Sequence, residues 1–152
     1  MQLERTAFYN RLAMSTPSKI EYRIGKEGLD LDAIIDVYRS STIRRPVDDR
    51  ACMAQMFEHA NLVVTAWDGE LLVGVSRSLS DFCFCTYLSD LAVRLEYQKK
   101  GIGKELIART RKASKSATIF LFAAPAAVDY YPKVGFDAGS GWILKPRMPT
   151  VG

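Results

Sequence analysis

The stretch LSDLAVRLEYQKKGIGK, residues 88–104, decides the fold. It joins a long apolar run, Phe82 to Val93, which predicts a buried strand, to a helical pattern that begins after Gly101. The residues that recur at helical spacing are Ile102, Leu106, Ile107 and Thr110. Glycines between a strand and a helix let the backbone approach an anion, because no Cβ atom intervenes and the first N–H groups of the helix point at it. Two lysines before the first glycine and one after the second add positive charge. The segment therefore predicts a site for a phosphate-bearing ligand.

Two common nucleotide-binding motifs do not fit this segment. A Walker loop needs a glycine five residues before Gly103, where the chain has Gln98. It also needs Ser or Thr after Lys104, where the chain has Glu105. A dinucleotide-binding fingerprint needs a small residue three positions after Gly103, where Leu106 stands. The pattern that remains is Gln-x-x-Gly-x-Gly.

This pattern, preceded by LSDLAV at residues 88–93, resembles the acetyl-CoA-binding motif of GNAT-type N-acetyltransferases. A second segment, YYPKVGF at residues 130–136, resembles the aromatic-Tyr-x-x-x-Gly-Phe signature of the same family. The two segments have the order and separation seen in the family, and the resemblance covers residues 29–144. The Arg-Arg-Pro element at residues 44–46 is also similar to the plastid arylalkylamine (serotonin) N-acetyltransferase branch.

Outward from this stretch, the periodicity predicts an α+β fold. The predicted elements are helices at Leu29–Ser41 and Val47–Ala60, a hairpin of Asn61–Trp67 and Leu71–Ser78 around Asp68-Gly69, a strand at Thr118–Ala124, a short helix at Ala126–Val134 and a final hairpin within Phe136–Lys145. The resemblance implies a three-layer GNAT-like fold whose mixed, mostly antiparallel sheet has about six to seven strands, flanked by helices and split between the fourth and fifth strands. Residues 1–18 are expected to form a flexible extension, and residues 19–152 a single domain.

Composition excludes several classes of protein. The chain has 152 residues, 48% of them hydrophobic, and a net charge of +4, which describes one ordinary globular domain. Its apolar runs are shorter than the roughly 20 residues that cross a membrane. With no secretion signal at the N-terminus, a cytoplasmic location is expected. Three cysteines and one histidine offer neither a disulfide framework nor a zinc site, so buried, reduced thiols and no metal are expected.

The positive charge is concentrated between Arg94 and Lys115, where eight basic residues stand against two acidic ones. Such a focused region beside glycines favours an anionic small ligand, whereas an evenly basic surface would favour nucleic acid. A nucleic-acid-binding module that uses residues 94–115 is therefore the weaker alternative, and no nucleic-acid partner is expected.

The GNAT resemblance implies roles for individual residues. The residues expected to bind acetyl-CoA are Leu91, Ala92, Val93, Gln98, Lys99, Lys100, Gly101, Ile102, Gly103, Lys104 and Tyr131. Backbone groups of Leu91 and Val93 would pair with the pantetheine, and the Leu91 N–H would stabilise the oxyanion that forms at the thioester. The Gln98–Lys104 segment would hold the pyrophosphate through main-chain N–H groups. Tyr131 would donate a proton to the departing CoA thiolate.

The base and the acceptor site are open at this point. Asp90 is the acid of the predicted strand, and it is a candidate base or anchor for a cationic amine. The alternative is a carboxylate that caps backbone groups where the strand is distorted. Tyr87 is a further candidate on that strand. Tyr38, Arg44 and Arg45 are expected to contact the acceptor, although the arginines could equally face solvent.

The expected activity is transfer of an acetyl group from acetyl-CoA to a primary amine, preferably of a small molecule. The amine would attack directly in a ternary complex, without a covalent enzyme intermediate. A GNAT-like acyl-CoA sensor without catalysis is the alternative. A homodimer with no membrane partner is expected from the resemblance.

Overall fold

The computed structural model describes residues 19–146 and divides the chain into two units, one ending at Leu121 and one beginning at Phe122. The predicted extension, residues 1–18, lies outside the described residues. The division of the chain into an extension and a single domain therefore stays a prediction. None of the described helices is long and apolar enough to cross a membrane.

The first unit is a five-stranded sheet with helices on both faces. Its elements are β1 (Glu21–Ile24), α1 (Leu31–Ser41), α2 (Arg50–His59), β2 (Leu62–Asp68), β3 (Leu71–Ser80), β4 (Cys85–Val93), a 3₁₀ helix (Leu95–Tyr97), α3 (Ile102–Ala113) and β5 (Thr118–Phe120). The strands lie in chain order, β1 to β4 antiparallel and β5 parallel to β4. The predicted α+β class and mostly antiparallel sheet are confirmed.

The strand count differs from the predicted six to seven. β1 has no counterpart among the elements predicted from the sequence, because only its pairing with β2 identifies so short and polar a segment as a strand. The predicted final hairpin is absent, since no strand occurs between residues 136 and 146. The described residues therefore contain five strands.

Side-chain caps set where the first two helices begin. The Asp30 carboxylate accepts a hydrogen bond from the Ala33 N–H at 3.0 Å, which starts α1 at Leu31. The Asp49 carboxylate accepts one from the Cys52 N–H at 2.9 Å, so α2 begins at Arg50 and not at the predicted Val47. Both helices otherwise follow the predicted apolar periodicity.

The strand predicted from Phe82 begins three residues later, at Cys85. The Asp81 carboxylate accepts hydrogen bonds from the N–H groups of Cys83, Phe84 and Cys85, which hold the chain in a turn and lower the pKa of Asp81 to about 2. Burial along β4 then alternates, so this strand is not buried on both faces. Cys83 and Cys85 are exposed, which corrects the expectation of buried thiols.

Two cores lie on opposite faces of the sheet. On one face α1 and α2 bury a cluster that includes Tyr38, Met53 and Phe57. On the other face Ile102 and Leu106 of α3 pack against β2 and β3. A Cβ atom at Gly74 would lie 3.1 Å from the Leu106 side chain and 3.2 Å from that of Ile102. The missing side chain therefore lets the N-terminal half of α3 lie close to the sheet.

The second unit contains two short 3₁₀ helices, Pro125–Ala127 and Tyr131–Val134, in place of the single predicted helix. Pro132 stands in the first turn of the second one, where a missing N–H costs no hydrogen bond. Gly135 ends that helix in the left-handed conformation, with φ 95°.

Candidate active site

The sheet is split between β4 and β5. The two strands pair only from Cys85 to Tyr87, opposite Thr118 to Phe120. β4 continues to Val93, and along residues 88–93 the described part of the chain supplies no strand on that edge. The split between the fourth and fifth strands is therefore present, as predicted.

Main-chain direction in β4 leaves two N–H groups facing the split. The Arg94 N–H donates to the Val73 carbonyl of β3 at 2.9 Å. Because successive N–H groups of a strand point to opposite sides, those of Leu91 and Val93 point away from β3. They face the edge that lacks a strand partner.

A β-bulge lies directly before these residues. In the register of β3 and β4, Arg77 pairs with Asp90 and Ser78 pairs with Leu88, so Ser89 is the extra residue. A bulge bends its strand and increases the local twist, which turns Leu91 and the residues after it away from the direction of the first half of β4.

The segment between β4 and α3 presents a row of unpaired backbone donors. Lys99 and Gly101 both have left-handed backbones, with φ of 60° and 83°. The first helical hydrogen bond runs from the Glu105 N–H to the Gly101 carbonyl at 3.1 Å. Within residues 19–146, no acceptor is found for the six consecutive N–H groups from Lys99 to Lys104. These groups lie at the positive end of the α3 dipole, where an anion is stabilised.

Side chains on both sides of this loop hold it in place. The Gln98 amide donates to the Val93 carbonyl at 2.9 Å, and the Tyr97 hydroxyl donates to Asp68 at 2.7 Å. The Lys100 ammonium lies 5.2 Å from the centre of the Tyr97 ring. The Gln98 side chain thus ties the loop to the end of β4. The Gln98 N–H itself donates to the Leu95 carbonyl at 3.2 Å, so the row of unpaired N–H groups begins at Lys99 and not at the predicted Gln98.

Asp90 lies at the centre of a buried polar cluster beside the bulge. The residue is 1% exposed, and its Oδ2 accepts hydrogen bonds from the Tyr38 hydroxyl at 2.9 Å and from Arg77 Nε at 2.5 Å. Its Oδ1 accepts from Arg45 Nε at 2.5 Å and from the Ser89 hydroxyl at 3.2 Å. Burial by itself raises the pKa of Asp90, but the hydrogen bonds and charges of the two arginines outweigh it and lower that pKa below its usual value.

The same cluster determines the position and the pKa of Tyr38. It is fully buried, and both burial and the neighbouring Asp90 charge raise its pKa well above the usual value. The predicted contact between Tyr38 and an acceptor is therefore corrected: the side chain lies in the core, where it supports Asp90. α1 carries it there as part of its apolar face.

The other predicted acceptor residues lie in two places. Arg44 is exposed, whereas the Arg45 side chain is 30% exposed and bound to Asp90. Tyr87 is 40% exposed and lines an open cavity of about 470 Å³ with Asp81 and Phe120. The structure therefore brings Arg45, Asp90 and Tyr38 together but places Tyr87 at the opposite end of β4.

Arg77 is a site residue that the sequence reasoning missed. It is 7% exposed and bridges Asp90, the Ser89 hydroxyl and the Met56 carbonyl. A usable signal was present, since an arginine inside an apolar strand needs a buried partner and Asp90 is the acid of the next strand. The bulge that aligns the two residues is not visible in the sequence.

Tyr131 belongs to the second unit. Its ring makes edge-to-face contacts with Tyr130 at 5.4 Å and with Phe136 at 5.5 Å between ring centres. Its predicted role as proton donor stays a prediction. Among the described residues, no group of three or more His, Cys, Asp or Glu could hold a metal ion.

The split sheet, followed by a helix whose first N–H groups have no acceptor within residues 19–146, is the arrangement that the resemblance to acetyltransferases implies. A family model described as "Acetyltransferase (GNAT) domain" matches residues 33–141. The chain therefore belongs to the GNAT acetyltransferase family.

Relatives among curated proteins include two N-acetyltransferases. The chain is 37% identical over 70 residues to "GCN5-related N-acetyltransferase 2, chloroplastic" of Arabidopsis thaliana, which covers 44% of this chain and 27% of that protein. It is 38% identical over 84 residues to "Uncharacterized N-acetyltransferase ycf52" of Pyropia yezoensis, covering 50% of this chain and 48% of the relative. The chain spans about half or less of the length of these relatives.

Solved structures share the fold at lower identity. A putative acetyltransferase from Deinococcus radiodurans has a TM-score of 0.72 at 17% identity, covering 87% of this chain and 92% of that one. The aminoglycoside N-acetyltransferase AAC(6')-Iy, solved in complex with CoA, has a TM-score of 0.67 at 14% identity, covering 88% and 98%. At these identities the likeness establishes the fold alone.

Proposed function

We propose that this chain transfers the acetyl group of acetyl-CoA to a primary amine of a small molecule, by direct attack of the amine in a ternary complex. The observation that carries the proposal is the row of six unpaired N–H groups from Lys99 to Lys104. A diphosphate is the group that such a row fits, because several adjacent oxygens can accept from successive amides at a helix N-terminus.

The residues around the row match the remaining parts of a CoA molecule. The Lys99, Lys100 and Lys104 side chains are exposed beside the unpaired amides and add positive charge. Gly101 keeps the backbone in a left-handed conformation that a side chain would strain. The open edge of β4, which contains Leu91, Ala92 and Val93, offers the N–H groups of Leu91 and Val93 to an extended pantetheine arm. Bound there, acetyl-CoA supplies an activated acetyl thioester.

The chain itself polarises the thioester. The Leu91 N–H, directed away from β3 directly after the bulge, is proposed to donate to the thioester oxygen as negative charge develops on it. A backbone donor at a rigid position costs little reorganisation during the reaction. Tyr131 is proposed to donate its phenolic proton to the leaving sulfur.

Asp90 is proposed to support the bulge and not to act as the base. Its two oxygens already accept from four donors, and its pKa is lowered, so it has little tendency to take up a proton. We propose that water carries the amine proton away, with Tyr87 as the remaining candidate side chain on β4. Asp90 then has a structural role, as in the capping alternative, but its four donors are side chains and not the backbone groups that this alternative expected.

Release of free CoA thiol tests the function, with acetyl-CoA and a panel of amines that includes arylalkylamines and aminoglycosides. Arylalkylamines are included because of the Arg-Arg-Pro resemblance, and aminoglycosides because two of the structural neighbours are aminoglycoside acetyltransferases. Amine-dependent release is expected. Failure of the protein to bind CoA by calorimetry would refute the proposal, whereas CoA binding without transfer to any amine would favour the sensor alternative.

The oligomeric state and the cellular compartment of the protein are also matters of proposal. A homodimer is proposed from the family resemblance, and sedimentation of the purified chain tests it. The cytoplasmic location has no support from the relatives, because the Arabidopsis relative is named as chloroplastic. Fractionation of cells that express the full-length protein would decide between the two compartments.

A further inference from the structure

The Arg45 guanidinium joins three acceptors from two parts of the fold. Its Nε donates to Asp90 at 2.5 Å, its Nη2 to the Ser89 carbonyl at 2.7 Å, and its Nη1 to the Arg44 carbonyl at 2.7 Å. Two of these acceptors belong to the bulge of β4, and the third to the loop of residues 42–49 that connects α1 and α2. The guanidinium therefore connects the loop to the bulge.

This connection is the loop's hydrogen-bonded link to the sheet. The other hydrogen bonds of residues 42–49 join the loop to α1, to α2 or to itself. Asp48, for example, accepts a hydrogen bond from Arg39 of α1, and the Val47 N–H donates to the Arg45 carbonyl within the loop. Across residues 19–146, the hydrogen bonds from this loop to a strand all come from Arg45. Loss of its guanidinium would leave the loop held to the sheet by apolar packing of Ile43 and Val47 alone.

On the strand side, Arg45 binds a carboxylate that buried residues already hold. Asp90 receives Arg45 on Oδ1, while Arg77 and Tyr38 hold Oδ2. Both of these partners are buried, whereas the Arg45 side chain is 30% exposed. The carboxylate is thus fixed from the core side, and Arg45 is the more exposed of its two arginines.

We propose that Arg45 is a positioning residue for acetyl transfer, which fastens the loop of residues 42–49 to the bulge so that the acceptor is held opposite the Leu91 N–H. This inference rests on the proposed function. Arg45 acts through the loop and through Asp90, and it does not touch the reacting atoms. Arg44 is then an exposed basic residue of the loop that is available to the acceptor itself.

Only a guanidinium can make this link. Its Nε, Nη1 and Nη2 point along fixed directions in one plane, and each donates to a different acceptor. A lysine ammonium is a single point and cannot reach all three. Arg45→Lys is therefore expected to behave like Arg45→Ala, and free guanidinium ion is expected to restore function to Arg45→Ala.

Steady-state kinetics with the best amine of the panel tests the role. In Arg45→Ala the KM for the amine is expected to rise by about 10- to 100-fold, as for loss of a charge-assisted hydrogen bond, with CoA affinity by calorimetry nearly unchanged. Millimolar guanidinium chloride should lower that KM again, while urea at the same concentration should not. Arg39→Ala is the matched control, because Arg39 holds the same loop through an exposed ion pair with Asp48.

Hydrogen exchange provides a readout that needs no acceptor. Amides of residues 43–48 should exchange faster in Arg45→Ala and Arg45→Lys than in Arg39→Ala. An unchanged amine KM in a folded Arg45→Ala, or exchange equal to that of the control, overturns the inference. If the wild-type chain does not bind CoA, the proposed function fails, and the exchange comparison still decides whether Arg45 fastens the loop.

Discussion

Replacing Asp90 by Asn tests how the buried cluster stabilises the fold. The change removes the negative charge between Arg77 and Arg45, and it directs an amide N–H₂ towards guanidinium donors. The Asp90 side chain is 0% exposed and that of Arg77 is 8% exposed, so water cannot replace the lost partner. Breaking a buried ion pair in this way costs about 3–5 kcal/mol. For a domain of this size, that corresponds to a fall in Tm of about 6–20 °C.

Urea and thermal unfolding of Asp90→Asn measure this cost. The matched control is Asp48→Asn, which removes an exposed ion pair with Arg39 and should change stability by less than about 1 kcal/mol. Because the pKa of Asp90 is lowered in the folded state, its contribution is fully present above the ordinary value of 3.8 and is lost as the pH falls through the lower folded-state pKa. The difference between wild type and Asp90→Asn should therefore shrink in acid.

Two results would refute this reasoning. If Asp90→Asn is as stable as wild type, and the acidic limb of the pH–rate profile disappears, Asp90 titrates during catalysis and is the base. A stable variant with an unchanged pH profile would also contradict the assigned anchoring of the bulge. We expect Asp90→Asn to lose stability and to keep the acidic limb of the pH–rate profile unchanged.

The other predictions concern the Gln98–Lys104 loop, Tyr131 and the packing of α3. Gly103→Glu should abolish CoA binding measured by calorimetry. The control variant Ala108→Glu places the same charge on an exposed part of α3 and should retain CoA binding. Equal CoA affinities of the two variants would show that the pyrophosphate does not bind at this loop. Tyr131→Phe should lower kcat more than CoA affinity, with Tyr130→Phe as its control, and wild-type kinetics would exclude Tyr131 from the mechanism. Gly74→Val should cost about 1–3 kcal/mol in urea unfolding and weaken CoA binding, because α3 must move away from the sheet; unchanged values would show that the helix adapts freely.

Local chemistry made parts of the fold predictable. The Asp68-Gly69 turn, the helical periodicity of α1 and α3, and the glycine that precedes α3 are all properties of short segments, and each appears where the pattern predicts it. The Gln98–Lys104 loop is of the same kind, because its left-handed backbone and its unpaired amides follow from its own residues.

The prediction of where β4 starts was wrong because one side chain binds backbone groups that the strand would otherwise use. The apolar run from Phe82 predicts a continuous strand, yet Asp81 binds three N–H groups that a strand would have used. A side chain that captures nearby backbone donors overrides β-propensity. The exposure of Cys83 and Cys85 follows from the same turn.

The sequence by itself determined the Gln98–Lys104 loop, most of the helices and strands around it and the family to which they belong, since these depend on residues close together in the chain. Tertiary structure alone decided what Asp90 does. The extra residue at Ser89 shifts the register, and this brings Asp90 opposite Arg77, over Tyr38 and within reach of Arg45. Partners 13 to 52 residues away in the chain meet at one carboxylate only after the sheet and α1 have packed.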